Sequence, residues 1–397
     1  MKRQINETFR DIISIYYKRK FWRKVISNIK NDNKKSNELN FNEQSITYVN
    51  KPGIAFSFDD SFRVNDWYKY GKDMFGHYDV KVTFNINAFH HHEDEREHTQ
   101  EEIDRIIELQ AMGHEIAHHG FRHQNAANYV KENGLSTWID NEIEALFNWV
   151  ENQAHSKTRE KLKKPVSFAF PFSSYTENII LEICPKYFKC VRGELNSTNL
   201  VSLNHTGFVP SICIDQLILD DVSSVKKILK IAKVAGKNVI FMCHSILPND
   251  VDWKDFGWGE KSEESGKWRI STDTMKSIIE EARKLDLEFY TTAEIGGVAT
   301  FIDRNMEKAV REKIETPFEQ WISISKLIEI TELDLSGRNI SNLDGIQYFI
   351  NLEKVNLSNN NISDFRLLDK LPKLNKLDIN NNPGNDEHYY SKKIAKR

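Results

Sequence analysis

Apolar residues recur every three or four places through the first thirty residues: Phe9, Ile12, Ile13, Tyr16, Phe21, Trp22, Val25, Ile26 and Ile29. That spacing lines them along one side of a helix, so one or two amphipathic helices are expected. Residues 30–46 are polar and rich in Asn and Lys, and read as a linker. From Tyr48 to about Gly297 the rhythm changes. Short apolar runs (Gly53–Phe58, Val166–Phe170, Phe188–Val191, Val239–Cys243, Leu287–Thr291) alternate with longer periodic stretches (Ile103–Met112, Glu142–Val150, Val222–Val234, Thr274–Leu285). Strands alternating with helices predict an α/β layer fold or barrel. Reactive side chains in such folds gather at the C-terminal ends of strands.

The tail follows a third rhythm. Ile330-x-x-Leu333-x-Leu335 recurs as Leu352-x-x-Val355-x-Leu357 and again as Leu374-x-x-Leu377-x-Ile379, with a period of 22 residues. Asn360 and Asn382 hold matching positions, and Arg338 stands there in the first copy. This is the leucine-rich-repeat pattern, with an atypical terminal copy. The expected divisions are a basic helical extension and linker at 1–47, an α/β unit at 48–300 and repeats at 317–397.

Composition narrows the picture. With 39% hydrophobic and 28% charged residues among 397, the chain reads as globular and long enough for a large core. Four cysteines without a CxxC pair exclude a disulfide scaffold or zinc ribbon. No apolar h-region follows Met1, so a cytoplasmic location is expected. The net charge of −3 hides an asymmetry. Residues 1–36 carry eleven Lys/Arg and three Asp/Glu, a net of +8, leaving −11 for the rest. A globally basic nucleic-acid binder is therefore not expected. The basic segment is expected either to pack on the barrel with a solvated charged face or to lie peripherally on an anionic membrane surface.

Three apolar runs end in chemistry. Gly53–Phe58 ends in Asp59 and Asp60, adjacent carboxylates that are costly to bury without a cation or a use. A helix N-cap or Asx-turn remains an alternative for this pair. Gly113-His-Glu-Ile-Ala-His-His119-Gly-Phe-Arg-His123 sets His119 and His123 four apart, on one face of a helix or strand. Two imidazoles and a carboxylate leave positions open on a divalent metal, but surface histidines would give the same spacing. Val239–Cys243 ends in His244, either a structural histidine or, in combination, a general acid. His90, His91 and His92 fall in a charged stretch and are expected to be solvated, with an adventitious metal binder as the alternative. Trp253, Phe256, Trp258 and Trp268 follow His244, as a sugar-stacking platform or as barrel-rim packing.

In this order, SFDD, HxxxH, FAFPF and FMCH, with the closing Phe289-Tyr-Thr-Thr-Ala-Glu-Ile295, resemble the NodB-type polysaccharide deacetylases, carbohydrate esterase family 4. The resemblance spans roughly residues 50–297. It implies a distorted (β/α) barrel, often of seven strands. It implies Asp59 as catalytic base, His244 as general acid, and Asp60, His119 and His123 as ligands of a divalent metal, most commonly zinc. Pro171 and Phe172 match the motif lining the substrate groove, with Trp253 and Trp258 as further sugar-contact candidates. The family's frequent arginine in that motif falls at Ala169, and Arg192 is a candidate to supply its charge. The usual glycine after the Asp pair is Ser61. The implied activity is hydrolysis of an N-acetyl or O-acetyl group on a carbohydrate, with an intracellular glycan precursor as the expected substrate. The competing reading is a repeat protein that binds a protein partner or itself, with the barrel as scaffold.

Overall fold

The computed structural model describes residues 2–33, 47–93, 95–194, 199–252 and 263–384, and side chains from Ser14 onward. Eight strands form one path in which every pairing is parallel: β1 (Gly53–Phe58), β2 (Thr83–Ile86), β3 (Glu115–His118), β4 (Ser167–Ala169), β5 (Cys190–Glu194), β6 (Gly207–Pro210), β7 (Ile212–Cys213) and β8 (Val239–Cys243). Their order is β6-β5-β4-β3-β2-β1-β8-β7. The two edges of this sheet, β6 and β7, are consecutive in the chain and separated by Ser211 alone. The sheet therefore curls until its edges nearly meet, a nearly closed barrel. Parallel strands covered on both faces should be apolar throughout. All six residues of β1 and all five of β8 are buried. The distorted barrel is as expected, but with more than seven strands. The sequence reading passed over β6 and β7.

Strands β9 (Ser245–Leu247) and β10 (Arg269–Ser271) form a separate parallel pair above β8. Strand β11 (Glu288–Tyr290) pairs with the first half of β1, Gly53 to Ala55. The chain then turns across the start of the strands. Thr292 N donates to Thr83 Oγ1, and Ala293 N to Glu115 Oε2. Thr83 and Glu115 open β2 and β3, so the turn Thr292–Ile295 plugs the N-terminal end of the barrel.

The repeats pack onto that plugged end. Strands β12 (Glu332–Asp334), β13 (Lys354–Asn356) and β14 (Lys376–Asp378) pair in parallel at the predicted 22-residue register. Asn360 Nδ2 donates to the carbonyls of Leu335 and Leu357, and Asn382 Nδ2 to those of Leu357 and Ile379. Each asparagine thus satisfies buried backbone in two successive turns, which is why the pattern demands it. Leu335, Leu357 and Ile379 share one apolar cluster with Ala55, Ile240 and Tyr290 of the barrel. Tyr48 and Tyr348 both donate to Glu294 Oε1, at 2.9 and 2.6 Å.

The N-terminal segment is one helix, Lys2–Asp32. Trp22, Val25 and Ile29 are buried in the main barrel cluster, and Trp22 Nε1 donates to Ile218 O. Trp22 is thus taken up by the barrel and not offered to a membrane. This is the packed-helix reading. The expected linker at 30–46 begins later, since the helix runs on to Asp32, and residues 34–46 lie outside the described residues.

Candidate active site

The C-terminal ends of β1, β3, β4 and β8 surround one cavity of about 690 Å³. Asp59, Asp60, His119, His123, Phe172 and His244 line it. Asp60 sits where β1 stops, at φ 74° and ψ 90°. A non-glycine residue with positive φ is uncommon, and such strain concentrates at functional sites. Ser61 is buried, and its Oγ bonds both the carbonyl and the amide of Asn87.

His119 follows β3. Its Nδ1 lies 2.8 Å from the carbonyl of Ala169, and its Nε2 lies 3.4 Å from Asp60 Oδ1. A backbone carbonyl on one ring nitrogen fixes which nitrogen faces the site. His123 Nε2 reaches the same Oδ1 at 3.1 Å. The turn between them is clamped from outside. Glu142 accepts from the amides of Arg122 and Gln124, which flank His123. Burial pushes the Glu142 carboxyl up to about 7. Gly120, at φ 80°, is required here: a Cβ would stand 2.6 Å from Glu142 Oε2.

These donors fit a divalent cation. Among the described residues Asp60 Oδ1 is buried and accepts no aligned hydrogen bond, despite two imidazole nitrogens within 3.4 Å. Donor atoms crowd together without N–H groups aligned between them, as a cation requires. Burial opposes ionisation of Asp60, but His123 and His119 outweigh it and hold the carboxyl well below its ordinary range. Burial lowers the pKa of His123 despite Asp60, favouring the neutral ring that a ligand must be.

Asp59 faces different partners. Its Oδ1 accepts from Asn85 Nδ2 at 2.9 Å and pairs with Arg192 Nη2. Arg192 was expected among the substrate contacts. It is instead 1% exposed, lies outside the cavity lining and meets Asp59 from behind. Ala169 on β4 pairs with Arg192 on β5, so the guanidinium lies one strand over from the position where the resemblance leads one to expect an arginine. Pro171 is likewise buried and outside the lining, while Phe172 is 66% exposed, with its ring 4.6 Å from that of His123.

His244 follows β8, and Trp67 Nε1 donates to its carbonyl. Its Nε2 lies 4.0 Å from Asp60 Oδ2. Its Nδ1 meets Asp215, a buried acid that sequence reasoning missed. The only signal was the short apolar run Ile212–Ile214 ending in a carboxylate. Burial works against protonation of His244, but Asp215 outweighs it and raises the imidazole pKa. Trp268 lines the cavity with its ring 5.3 Å from that of His244. Trp253, Phe256 and Trp258 lie outside the described residues.

The expectation of a solvated triple histidine fails. His90 is buried and packs on Phe62, and His91 and His92 line the cavity. His114 and His118 are core residues whose pKa burial lowers to about 3.

Residues 47–187 match the family model for polysaccharide deacetylases, and residues 350–386 match that for leucine-rich repeats in two copies. The resemblance drawn from the motifs is thereby borne out. The first match holds Asp59, Asp60, His119 and His123 and ends before Arg192, Asp215 and His244. No curated protein matches by sequence. Among solved structures, the chain is similar to the Xyl-CE4 domain of a multidomain xylanase from the hindgut metagenome of Trinervitermes trinervoides, at 19% identity, covering 62% of this chain and 89% of that one, with a TM-score of 0.36. A CE4 esterase of Streptococcus mutans is 15% identical over 63% of this chain and 89% of its own, with a TM-score of 0.39. An internalin (inlF) of Listeria monocytogenes is 31% identical over 21% of this chain, with a TM-score of 0.20, and the match spans only 24% of the internalin.

Proposed function

We propose that this chain is a metal-dependent hydrolase that removes an acetyl group from an acetylated carbohydrate. One observation carries the reading: a single cavity holds Asp60 with the Nε2 atoms of His119 and His123 at 3.4 and 3.1 Å from its Oδ1, and a carboxylate and an acid-paired imidazole beside them. A divalent cation held by that trio, zinc in the first instance, would polarise the acyl carbonyl and lower the pKa of water. Among the described residues both side-chain contacts of Asp59 fall on Oδ1, leaving Oδ2 to take the proton of the attacking water. Arg192 holds the Asp59 carboxylate fixed for that task. His244 gives its proton to the departing amine or alcohol. Asp215 holds the ring with Nδ1 turned inward, so that Nε2 faces the cavity. The backbone N–H near Phe172 is assigned to the developing oxyanion.

An intracellular glycan precursor is the substrate context we favour, and the strand face of the repeats is assigned to a protein partner. The test is acetate release from acetylated nucleotide sugars, lipid-linked sugars and oligomers by zinc-loaded full-length protein. Release that is lost in Asp60→Ala and His119→Ala is expected. No release from any of the three classes overturns the reading.

A further inference from the structure

His91 belongs to the site for a reason its position in the sequence concealed. Residues Phe89 and Glu97 bridge as an antiparallel pair, closing a short loop over the cavity. The loop is anchored on all sides. Ala88 N donates to Phe121 O, His98 N to Ala88 O, and His90 N to Arg96 O. Arg96 grips Glu102 with two nitrogens, at 2.8 and 3.0 Å. The three consecutive histidines then diverge. His90 Nδ1 accepts from the amide of His92. His92 Nε2 lies 2.9 Å from Ser265 Oγ. His91 has neither kind of partner. Its Nε2 is buried and makes no hydrogen bond with the described residues, and its ring lies 4.5 Å from that of His123. Asp60, His91 and His123 each place one donor atom within 4.8 Å of the other two.

A buried imidazole nitrogen without a partner costs free energy unless something occupies its lone pair. Asp60 Oδ1 carries the same debt in the same place. A cation at this point satisfies both. We infer that His91 Nε2 is a fourth protein ligand of the active-site cation in the substrate-free protein, beside Asp60, His119 and His123. The inference rests on the metal reading above and adds a donor to it. Four protein donors fill a tetrahedral zinc ion, whereas catalytic sites keep one position open. Water and substrate therefore enter either by expanding the coordination or by displacing His91, which ties the 88–98 loop to the state of the cation.

The test uses full-length protein freed of metal by a chelator and titrated with Co²⁺, whose visible absorption reports the donor set, and with Zn²⁺ against a chromophoric chelator. His91→Ala and His91→Gln should each raise the Kd for Zn²⁺ by about 10- to 100-fold and change the Co²⁺ spectrum. His92→Ala, in the same loop, should leave both unchanged. The metal-free variants should unfold at the wild-type temperature, so that the loss is one of ligation. Wild-type Kd and spectrum in both His91 variants would overturn the inference. So would an equal loss in His92→Ala, which would mark a loop effect. Those results leave the metal reading standing as long as Asp60→Ala and His119→Ala abolish binding. Wild-type protein that binds neither ion removes both readings.

Discussion

Asp215 Oδ2 lies 2.7 Å from Nδ1 of His244, and Asp215 Oδ1 accepts the His244 amide at 3.1 Å. One buried carboxylate therefore fixes both the backbone and the ring of the proposed general acid. Its charge also favours the protonated imidazole. Asp215→Asn keeps the shape and removes the charge. It should lower kcat by about 100-fold, a typical share for a general acid. The basic limb of the kcat/KM profile should move to lower pH, because the imidazole then loses its proton earlier. A reduced rate with an unshifted limb would assign Asp215 a purely structural role.

Arg192 pairs with Asp59 and does not line the cavity. Arg192→Gln should therefore reduce kcat by about 100-fold while leaving KM within about threefold. It should also destabilise the fold, since it leaves a buried carboxylate with one neutral donor. Arg192→Lys should recover part of the rate. A change confined to KM would return Arg192 to the substrate-contact set.

Asp66 is fully buried, beside Ser245 and the amide of Ile246. Burial pushes its carboxyl up to about 7. Between the ordinary value near 3.8 and about 7, the folded state holds this proton more tightly than the unfolded state. Its contribution to stability is thus complete below that window and is lost as pH rises through it. The slope is at most about 1.4 kcal/mol per pH unit. Urea unfolding at pH 5, 6.5 and 8 should show stability falling with pH more steeply in wild type than in Asp66→Asn. Parallel curves would refute the assignment.

Because the repeats share an apolar cluster with Ala55, Ile240 and Tyr290, they are part of the barrel's core. Full-length protein should unfold in a single transition. Deleting residues 317–397 uncovers that cluster and should lower Tm by more than about 10 °C. An unchanged Tm would show that the repeats are an independent module.

Much of this architecture was legible because it depends on local periodicity. The runs at Gly53–Phe58 and Val239–Cys243 became β1 and β8 with the same limits. The 22-residue repeat gave the register of β12 to β14. Asp59, Asp60, His119, His123 and His244 were visible because each follows an apolar run or keeps helical spacing. What stayed hidden is non-local. Asp215 follows a strand of two residues, too short to show a period. His91 lies in a charged loop, where composition argues for water and only the anchors at Phe121, Arg96 and Ala88 carry it to the cavity. Arg192 was noticed, but the direction of its side chain depends on the pairing of β4 with β5.

The plug at Thr292–Ile295 sets an orientation for the whole molecule. The repeats hold the end of the barrel where strands begin, and the cavity opens where they finish. A partner seated on the repeats would leave the mouth uncovered and turned away from itself.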